Sequence, residues 1–347
     1  MPWKLPGHAR WNFLMSNLAR GTIVVTGGAG LIGSAIIWGL NNRNLQNLWL
    51  VDWAEPNNLK ERNLKDLSYS RRITPENFRK MIADNSGELS EVSTIFHLGA
   101  CSSTTETNEA YLNDNNLGYT RELCEWSLEN GVRFVYASSA STYGDGSLGM
   151  DDQDLDLKKF TPLNLYGWSK HKFDLLAQEN GWLDQIVGLK YFNVYGPNEE
   201  HKGGMRSVVS KAYEQIAGTE EMTLFKSHHP GYRDGEQMRD FLYVKDAVLM
   251  SLWLGEKTDA NGLFNLGSGK ARTWLDLGRA IFSALGMEPN IRFVEMPEVL
   301  RDKYQYFTEA KIEKLREVGY GNELFSLEEA VHDYVVQYLK PDHRLGA

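Results

Sequence analysis

Cysteine is nearly absent. The 347 residues contain two, Cys101 and Cys124, and neither falls in a C-x-x-C pair. A disulfide framework is therefore excluded, and a reduced, cytoplasmic compartment is the expectation. Basic residues do not dominate: Asp and Glu outnumber Lys and Arg by 46 to 37, a net charge of −9, so nothing marks a nucleic-acid surface. No apolar run approaches the ~20 residues of a membrane span. The adjacent His228 and His229 lie in a polar loop, and no cysteine or carboxylate cluster has metal-ligand spacing. Repeats and low-complexity segments are missing as well. Residues 1–20 are basic through Lys4, Arg10 and Arg20, but Pro2, Pro6, His8 and Asn12 interrupt them, so they lack the apolar core of a signal peptide. They are expected to form an N-terminal extension, packed on the surface or partly disordered.

What is present is ordinary globular material: 42% hydrophobic and 24% charged residues, in a chain long enough to bury a substantial core. Its organising stretch is Thr26-Gly27-Gly28-Ala29-Gly30-Leu31-Ile32-Gly33. The β-branched run Thr22–Val25 precedes it, and Ser34-Ala35-Ile36-Ile37-Trp38 begins a helix after it. A strand that turns into a helix through close glycines suits a dinucleotide pyrophosphate. The backbone can approach the phosphates, and the helix end offers free N–H groups and partial positive charge. The second strand, Leu48–Val51, ends at Asp52, where a carboxylate would grip the adenosine ribose.

From Gly21 to about Tyr191 strands and helices alternate, which predicts a Rossmann-type doubly wound parallel sheet, an α/β fold. Further strands are expected at Thr94–Leu98, Arg133–Ala137, Ile186–Phe192 and Leu263–Gly267. Helices are expected from Thr74-Pro75-Glu76 onward, over Tyr111–Asn130 with Gly131 as cap, and at Ser207–Ile216, Trp274–Leu285 and Leu327–Leu339. Polar residues 54–58 read as a loop. Between Gly196 and Tyr243 the pattern loosens into long loops. A nucleotide-binding domain over 21–192, about 242–266 and 311–324 is expected. A smaller interleaved α/β substrate lobe would take about 193–241, 267–310 and 325–340.

Tyr166-Gly167-Trp168-Ser169-Lys170 places a phenol and an ammonium one helical turn apart. The ammonium, with a nicotinamide ring alongside, is expected to favour the phenolate and lower its pKa. Ser139, at a strand end, supplies a hydroxyl to position an alcohol or ketone. Elsewhere such a pair is an ordinary surface feature; downstream of a dinucleotide fold, catalysis is the better reading. Cys101 has no base to pair with, and packing beside a cofactor accounts for it.

Together these parts resemble the extended short-chain dehydrogenase/reductase superfamily (NAD-dependent epimerase/dehydratase), over about Thr22 to Leu339. The loops are similar to the ADP-L-glycero-D-manno-heptose 6-epimerase family: Gly99–Glu106, Tyr191–Pro197, His201-Lys202-Gly203-Gly204-Met205, Arg239–Val244 and Lys303–Thr308. The resemblance implies an isomerase that oxidises C6″ of an ADP-heptose with tightly bound NADP and re-reduces it on the other face, for lipopolysaccharide core synthesis. It implies Tyr166 and Lys202 as the two acid/base groups. From the residues alone Lys202 would read as a surface lysine or a phosphate contact. Cofactor contacts implied are Gly27, Gly30, Leu31, Ile32, Gly33, Asp52, Trp53, Lys60, Leu98, Gly99, Ala100, Cys101, Ser102, Asn115, Lys170, Val194 and Lys202. Substrate contacts implied are Ser102, Asn193, Gly204, Lys211, Phe225, Lys226, Ser227, His228, Arg239 and Tyr304. A homo-oligomer, in this family a pentamer, is implied too, and no membrane or nucleic-acid partner.

Three positions depart from the family. Lys211 stands where histidine is common, Trp53 replaces a small polar residue, and the stretch from His228 to Gln237 is longer, its Arg233 competing with Arg239 for a diphosphate. NAD stays open beside NADP, because Asp52 favours a free 2′-hydroxyl while Lys60, with Arg62 nearby, would neutralise a 2′-phosphate. A hexose 4-epimerase shares the Ser/Tyr/Lys core and also stays open, as does a non-catalytic cofactor-binding relative. A dehydratase is disfavoured because Ala140-Ser141-Thr142 stands where its extra Asp-Glu pair would be.

Overall fold

The computed structural model describes residues 17–53, 59–301 and 304–347. Expectations for residues 1–16, for the 54–58 loop and for Lys303 lie outside the described residues. Asn17–Arg20 form one 3₁₀ turn, held where the Asn17 amide donates to Glu256 Oε1 at 2.8 Å.

Seven strands form the central sheet: β1 (Thr22–Thr26), β2 (Leu48–Val51), β3 (Arg71–Ile73), β4 (Val92–His97), β5 (Arg133–Ser139), β6 (Val187–Tyr191) and, later in the chain, β10 (Gly262–Leu266). Their order is β10-β6-β5-β4-β1-β2-β3, and every pairing is parallel. All five residues of β1, of β6 and of β10 are buried, as a sheet covered on both faces requires. The chain runs β1-β2-β3 toward one edge, then restarts at β4 on the other side of β1. That reversal opens a crevice at the carboxyl ends of β1 and β4, the position where such sheets bind ligands. The predicted Rossmann-type fold is what forms.

Two small sheets complete the strand set, the first reaching the crevice through Asn193, Val194, Tyr195 and Phe241. One has the order β11-β9-β7, from Ala271–Thr273, Met238–Tyr243 and Asn193–Tyr195; the other pairs β8 (Met222–Phe225) with β12 (Ile291–Val294). The stretch read as long loops therefore contains β8 and β9. Runs of three to six residues like these, stable only when paired with distant segments, leave little periodic signal.

Helices follow their local signals closely. The Thr74 hydroxyl caps the Pro75–Ala83 helix by accepting from Asn77 N at 3.3 Å. Trp274–Leu285 starts with a reciprocal Thr273/Asp276 capping box. The helix expected at Tyr111–Asn130 differs in its middle: Glu109–Leu112 and Tyr119–Glu129 flank a π-helical turn at Asn113–Gly118. The wider turn faces Asn116 inward, fully buried. Among the described residues no helix is long and apolar enough to cross a membrane.

Candidate active site

A cleft of about 710 Å³ lies at the β1/β4 reversal. Its floor is the turn from β1 into the Leu31–Asn41 helix. Gly30 is that helix's N-cap and makes no side-chain cap, so the first N–H groups face the cleft with their partial positive charge. Gly33 has to be glycine because a Cβ there would lie 2.1 Å from the Gly27 carbonyl. Asp52 braces the turn: one carboxylate oxygen accepts from Ala29 N at 3.0 Å, the other from Trp53 N at 2.9 Å. Lys60 Nζ stands 3.5 Å from that carboxylate. Each oxygen keeps acceptor capacity for a ribose hydroxyl. The expected role of Arg62 changes, since it pairs with Glu200 at 3.0 Å and Asp342 at 2.5 Å instead of lining the cleft.

A buried polar chain sets the opposite wall. Thr26 Oγ1 and His97 Nδ1 are 2.8 Å apart, and His97 Nε2 and Thr120 Oγ1 2.9 Å. Burial drives the His97 pKa well below its ordinary value, with Lys170 adding to the effect, so the ring is neutral. Thr120 donates onward to the Asn116 carbonyl at 2.5 Å, and Gly99 N donates to Thr26 Oγ1 at 3.0 Å. With the proton on Nε2, one direction of donation satisfies each hydroxyl. Asn116 then clamps Cys101, accepting from its N–H at 2.8 Å and donating to its carbonyl at 2.9 Å.

Chemistry-bearing side chains enter from β5 and from the Leu165–Glu179 helix. Asn164 caps that helix through Gly167 N at 2.8 Å. Gly167 permits the helix to approach the turn after β5; a Cβ there would meet the Ser141 carbonyl at 2.9 Å. This brings the Tyr166 phenol to the cleft beside Ser139, whose Oγ accepts from Ser141 N at 3.1 Å and donates to Ser141 Oγ at 3.2 Å. Beneath them Asp174 accepts from Tyr136 at 2.9 Å, Ser138 at 2.8 Å and Lys190 at 2.7 Å, a buried carboxylate with a donor on each oxygen. Burial raises the Tyr166 pKa, opposed by Ser139, and burial pushes Lys170 down to about 8, opposed by Asp174. The expected depression of the phenol is thus reversed in the protein alone. Lys170 is buried and Tyr166 half-buried at the cleft wall, which penalises the charged form of each.

Lys202 reaches the cleft from a tight turn, Glu200–Met205. Burial lowers its pKa, and Glu199 opposes the shift. Glu199 itself is fully buried and accepts from Ser207 N at 2.5 Å, Ser207 Oγ at 2.6 Å and Tyr334 at 2.9 Å. Asn63 ties the same turn to the glycine loop, donating to the Ala29 carbonyl at 2.9 Å and the Asn198 carbonyl at 3.0 Å.

Every residue expected at the cofactor lines this one cleft, as do Ser139, Tyr166, Ser102 and Asn193. Gly204, Lys211, Phe225 to His228, Arg239 and Tyr304 do not line it. Arg239 and Tyr304 adjoin it through Trp274, a lining residue: the Arg239 guanidinium lies 5.8 Å from the Trp274 ring and 5.2 Å from that of Tyr304. Arg239 is buried, whereas Arg233 is 86% exposed and paired with Glu236, which separates the two competitors. The uncapped helix end, the close-packed glycine and the acid beyond β2 together fit a nicotinamide dinucleotide. Among the described residues no group of three His, Cys, Asp or Glu side chains could hold a metal ion.

Residues 23–267 match the model of the NAD dependent epimerase/dehydratase family. The chain belongs to this family. It is 50% identical over 317 residues to the ADP-L-glycero-D-manno-heptose-6-epimerase of Nitratidesulfovibrio vulgaris (strain DP4), covering 91% of this chain and 97% of that one. The crystal structure of Helicobacter pylori ADP-L-glycero-D-manno-heptose-6-epimerase superposes with a TM-score of 0.76 at 26% identity, over 93% and 98% of the two chains. MoeE5, solved in complex with UDP-glucuronic acid and NAD, superposes with a TM-score of 0.68 at 25% identity, over 90% and 96%.

Within this epimerase/dehydratase chain, sequence reasoning missed Asn63, His97, Asn116, Asp174 and Glu199. Each is buried, and each joins segments far apart in sequence. A polar residue inside an otherwise apolar run, such as His97 at the end of β4, was the available signal.

Proposed function

We propose that this protein interconverts the C6″ epimers of an ADP-linked glycero-manno-heptose, a step toward the lipopolysaccharide core in the cytoplasm. The observation that carries the reading is the convergence in one cleft of the uncapped helix end, the Ser139–Tyr166–Lys170 group and, from a separate turn, Lys202. The relatives' names support the choice of sugar. A nicotinamide dinucleotide, when bound, supplies a hydride acceptor and donor and leaves the reaction redox-neutral.

The protein's own part is proton handling and positioning. Tyr166 takes the proton of the C6″ hydroxyl as the carbon is oxidised, with Ser139 beside the phenolic oxygen. Charge on Lys170 favours the phenolate, and its position one turn away also places it toward the cofactor ribose. An epimerisation presents the oxygen in two positions: in the second, Lys202 gives the re-reduced oxygen its proton, and in the reverse direction Tyr166 donates and Lys202 accepts. Its lowered pKa enlarges the neutral fraction that can accept a proton. Arg239, with its planar fork, meets the diphosphate. Ser102, Asn193 and Gly204, with Lys211, Phe225 to His228 and Tyr304, complete the substrate lobe. NADP is the cofactor we assign, met by Lys60; NAD is the competing reading, favoured by Asp52 and by the withdrawal of Arg62. Assembly as a homo-oligomer, a pentamer by resemblance, belongs to the same proposal.

The test is incubation with one ADP-heptose epimer and no added cofactor. Appearance of the second C6″ epimer is expected. Conversion of a UDP-hexose at C4, with ADP-heptose untouched, would overturn the reading in favour of a 4-epimerase.

A further inference from the structure

The stretch from His228 to Gln237, longer than the family resemblance implies, carries two rings outward. Its base is pinned: Ser227 N donates to Asp234 Oδ1 at 2.7 Å, and His228 N to the Tyr306 hydroxyl at 3.1 Å. Tyr232 N donates to the His229 carbonyl at 3.1 Å, closing the tip. The tip is thus an ordered support. On it His229, Tyr232 and Tyr306 pack mutually, with ring centroids 5.4, 5.0 and 5.5 Å apart. His229 is exposed and the two tyrosines are half-buried.

This ring group is continuous with the cleft. Tyr306 packs on Tyr304 at 5.1 Å, and the Tyr304 hydroxyl accepts from Trp274 Nε1 at 2.9 Å. Between Trp274 and Tyr304 sits the Arg239 guanidinium. A file therefore leads from the cleft wall, past one buried cation flanked by aromatic rings, to three packed rings at the surface. A nucleoside diphosphate has the same order of parts: anionic phosphates, then a flat base. The rings meet at 62°, 40° and 33°, so a base stacks on one ring and meets the edge of the next, an arrangement from which the larger two-ring area of a purine gains most.

We propose that His229 and Tyr232, with Tyr306, form the face on which the purine base of the substrate stacks, and that this loop sets base selectivity. The inference rests on the nucleotide-sugar reading above, and names the residues that choose its nucleotide. Trp274 and Arg239 lead the phosphates to this face; Tyr306 holds it rigid through His228 N.

The experiment measures binding of ADP and of UDP, each without sugar, to the intact protein and to the variants Tyr232→Ala, His229→Ala and Tyr232→Phe. The parent is expected to bind ADP at least tenfold more tightly than UDP. Tyr232→Ala should weaken ADP about tenfold and UDP little, the size of one lost base–ring contact. His229→Ala should lose less, and Tyr232→Phe, which keeps the ring, should bind as the parent does. Unchanged ADP affinity in both alanine variants, with melting temperature and cofactor content as in the parent, would overturn the proposal. Equal loss of ADP and UDP would overturn the selectivity claim. Because sugar-free nucleotides are the probes, a parent that binds ADP in this way but does not convert ADP-heptose defeats the epimerase reading alone.

Discussion

Lys170 shows how one side chain couples the fold to the chemistry. Burial holds its pKa near about 8 while Asp174, one turn along the helix, pulls it upward. Below that value the amine is charged and attracts an anionic dinucleotide; as pH rises through about 8 the charge is lost. Affinity of cofactor-stripped protein for NADPH should therefore fall across pH 7 to 9, and fluorescence titration reads it. In Lys170→Met the step should vanish, with weaker binding throughout. A step of the same size in the variant would assign it elsewhere. At this scale the sequence was informative where chemistry is local: Tyr166 and Lys170 one turn apart, Gly33 where only glycine fits. It was silent where burial decides. Arg233 and Arg239 read alike as letters, and only the fold buries Arg239 between two rings and leaves Arg233 at the surface.

At the scale of the element, buried polar groups carry more information than apolar patterning does. The π-helical turn at Asn113–Gly118 interrupts a helix whose periodicity predicted no break, and its product is Asn116 clamped on the Cys101 loop. Such turns recur at functional sites because they re-aim one side chain without ending the helix. The Val244–Glu256 helix illustrates the cost of a polar group inside. Asp246 is buried, accepts from Phe325 N at 3.1 Å through one oxygen, and has no hydrogen-bond partner for the other among the described residues. Burial pushes its pKa up to about 7. With the folded pKa above the unfolded one, the folded state holds a proton that the unfolded chain has released, and stability declines as pH rises from about 4 through about 7. Asp246→Asn keeps an acceptor and removes the ionisation. It should stabilise by about 1–3 kcal/mol at pH 8 and by little at pH 4, in denaturant titrations at the two values. A variant equally stabilised at both, or destabilised at pH 8, would contradict that account.

Across the whole molecule, a parallel sheet with one reversal generates a crevice, and segments from distant parts of the chain furnish it. The six central strands read from the sequence stand within a few residues of their observed ends, because each is a continuous apolar run buried on both faces. The small sheets escaped notice because β7, β9 and β11 exist only through pairing with one another. The same reasoning locates cofactor choice. Lys60 is the cation beside Asp52 in the cleft, and Arg62 is held by Glu200 and Asp342. On our assignment Lys60→Ala should weaken NADP about tenfold and leave NAD nearly unchanged, by equilibrium titration of stripped protein. An equal loss for both would mean that Lys60 does not meet the 2′-phosphate.

The central claim is that Tyr166, placed by Gly167 beside Ser139, moves the proton in this cleft. Its most direct test is the turnover of ADP-heptose by Tyr166→Phe, with bound cofactor quantified in the same sample. The account predicts a fall in kcat of about 10²–10⁴-fold with cofactor content unchanged. Turnover equal to that of the parent protein would contradict it.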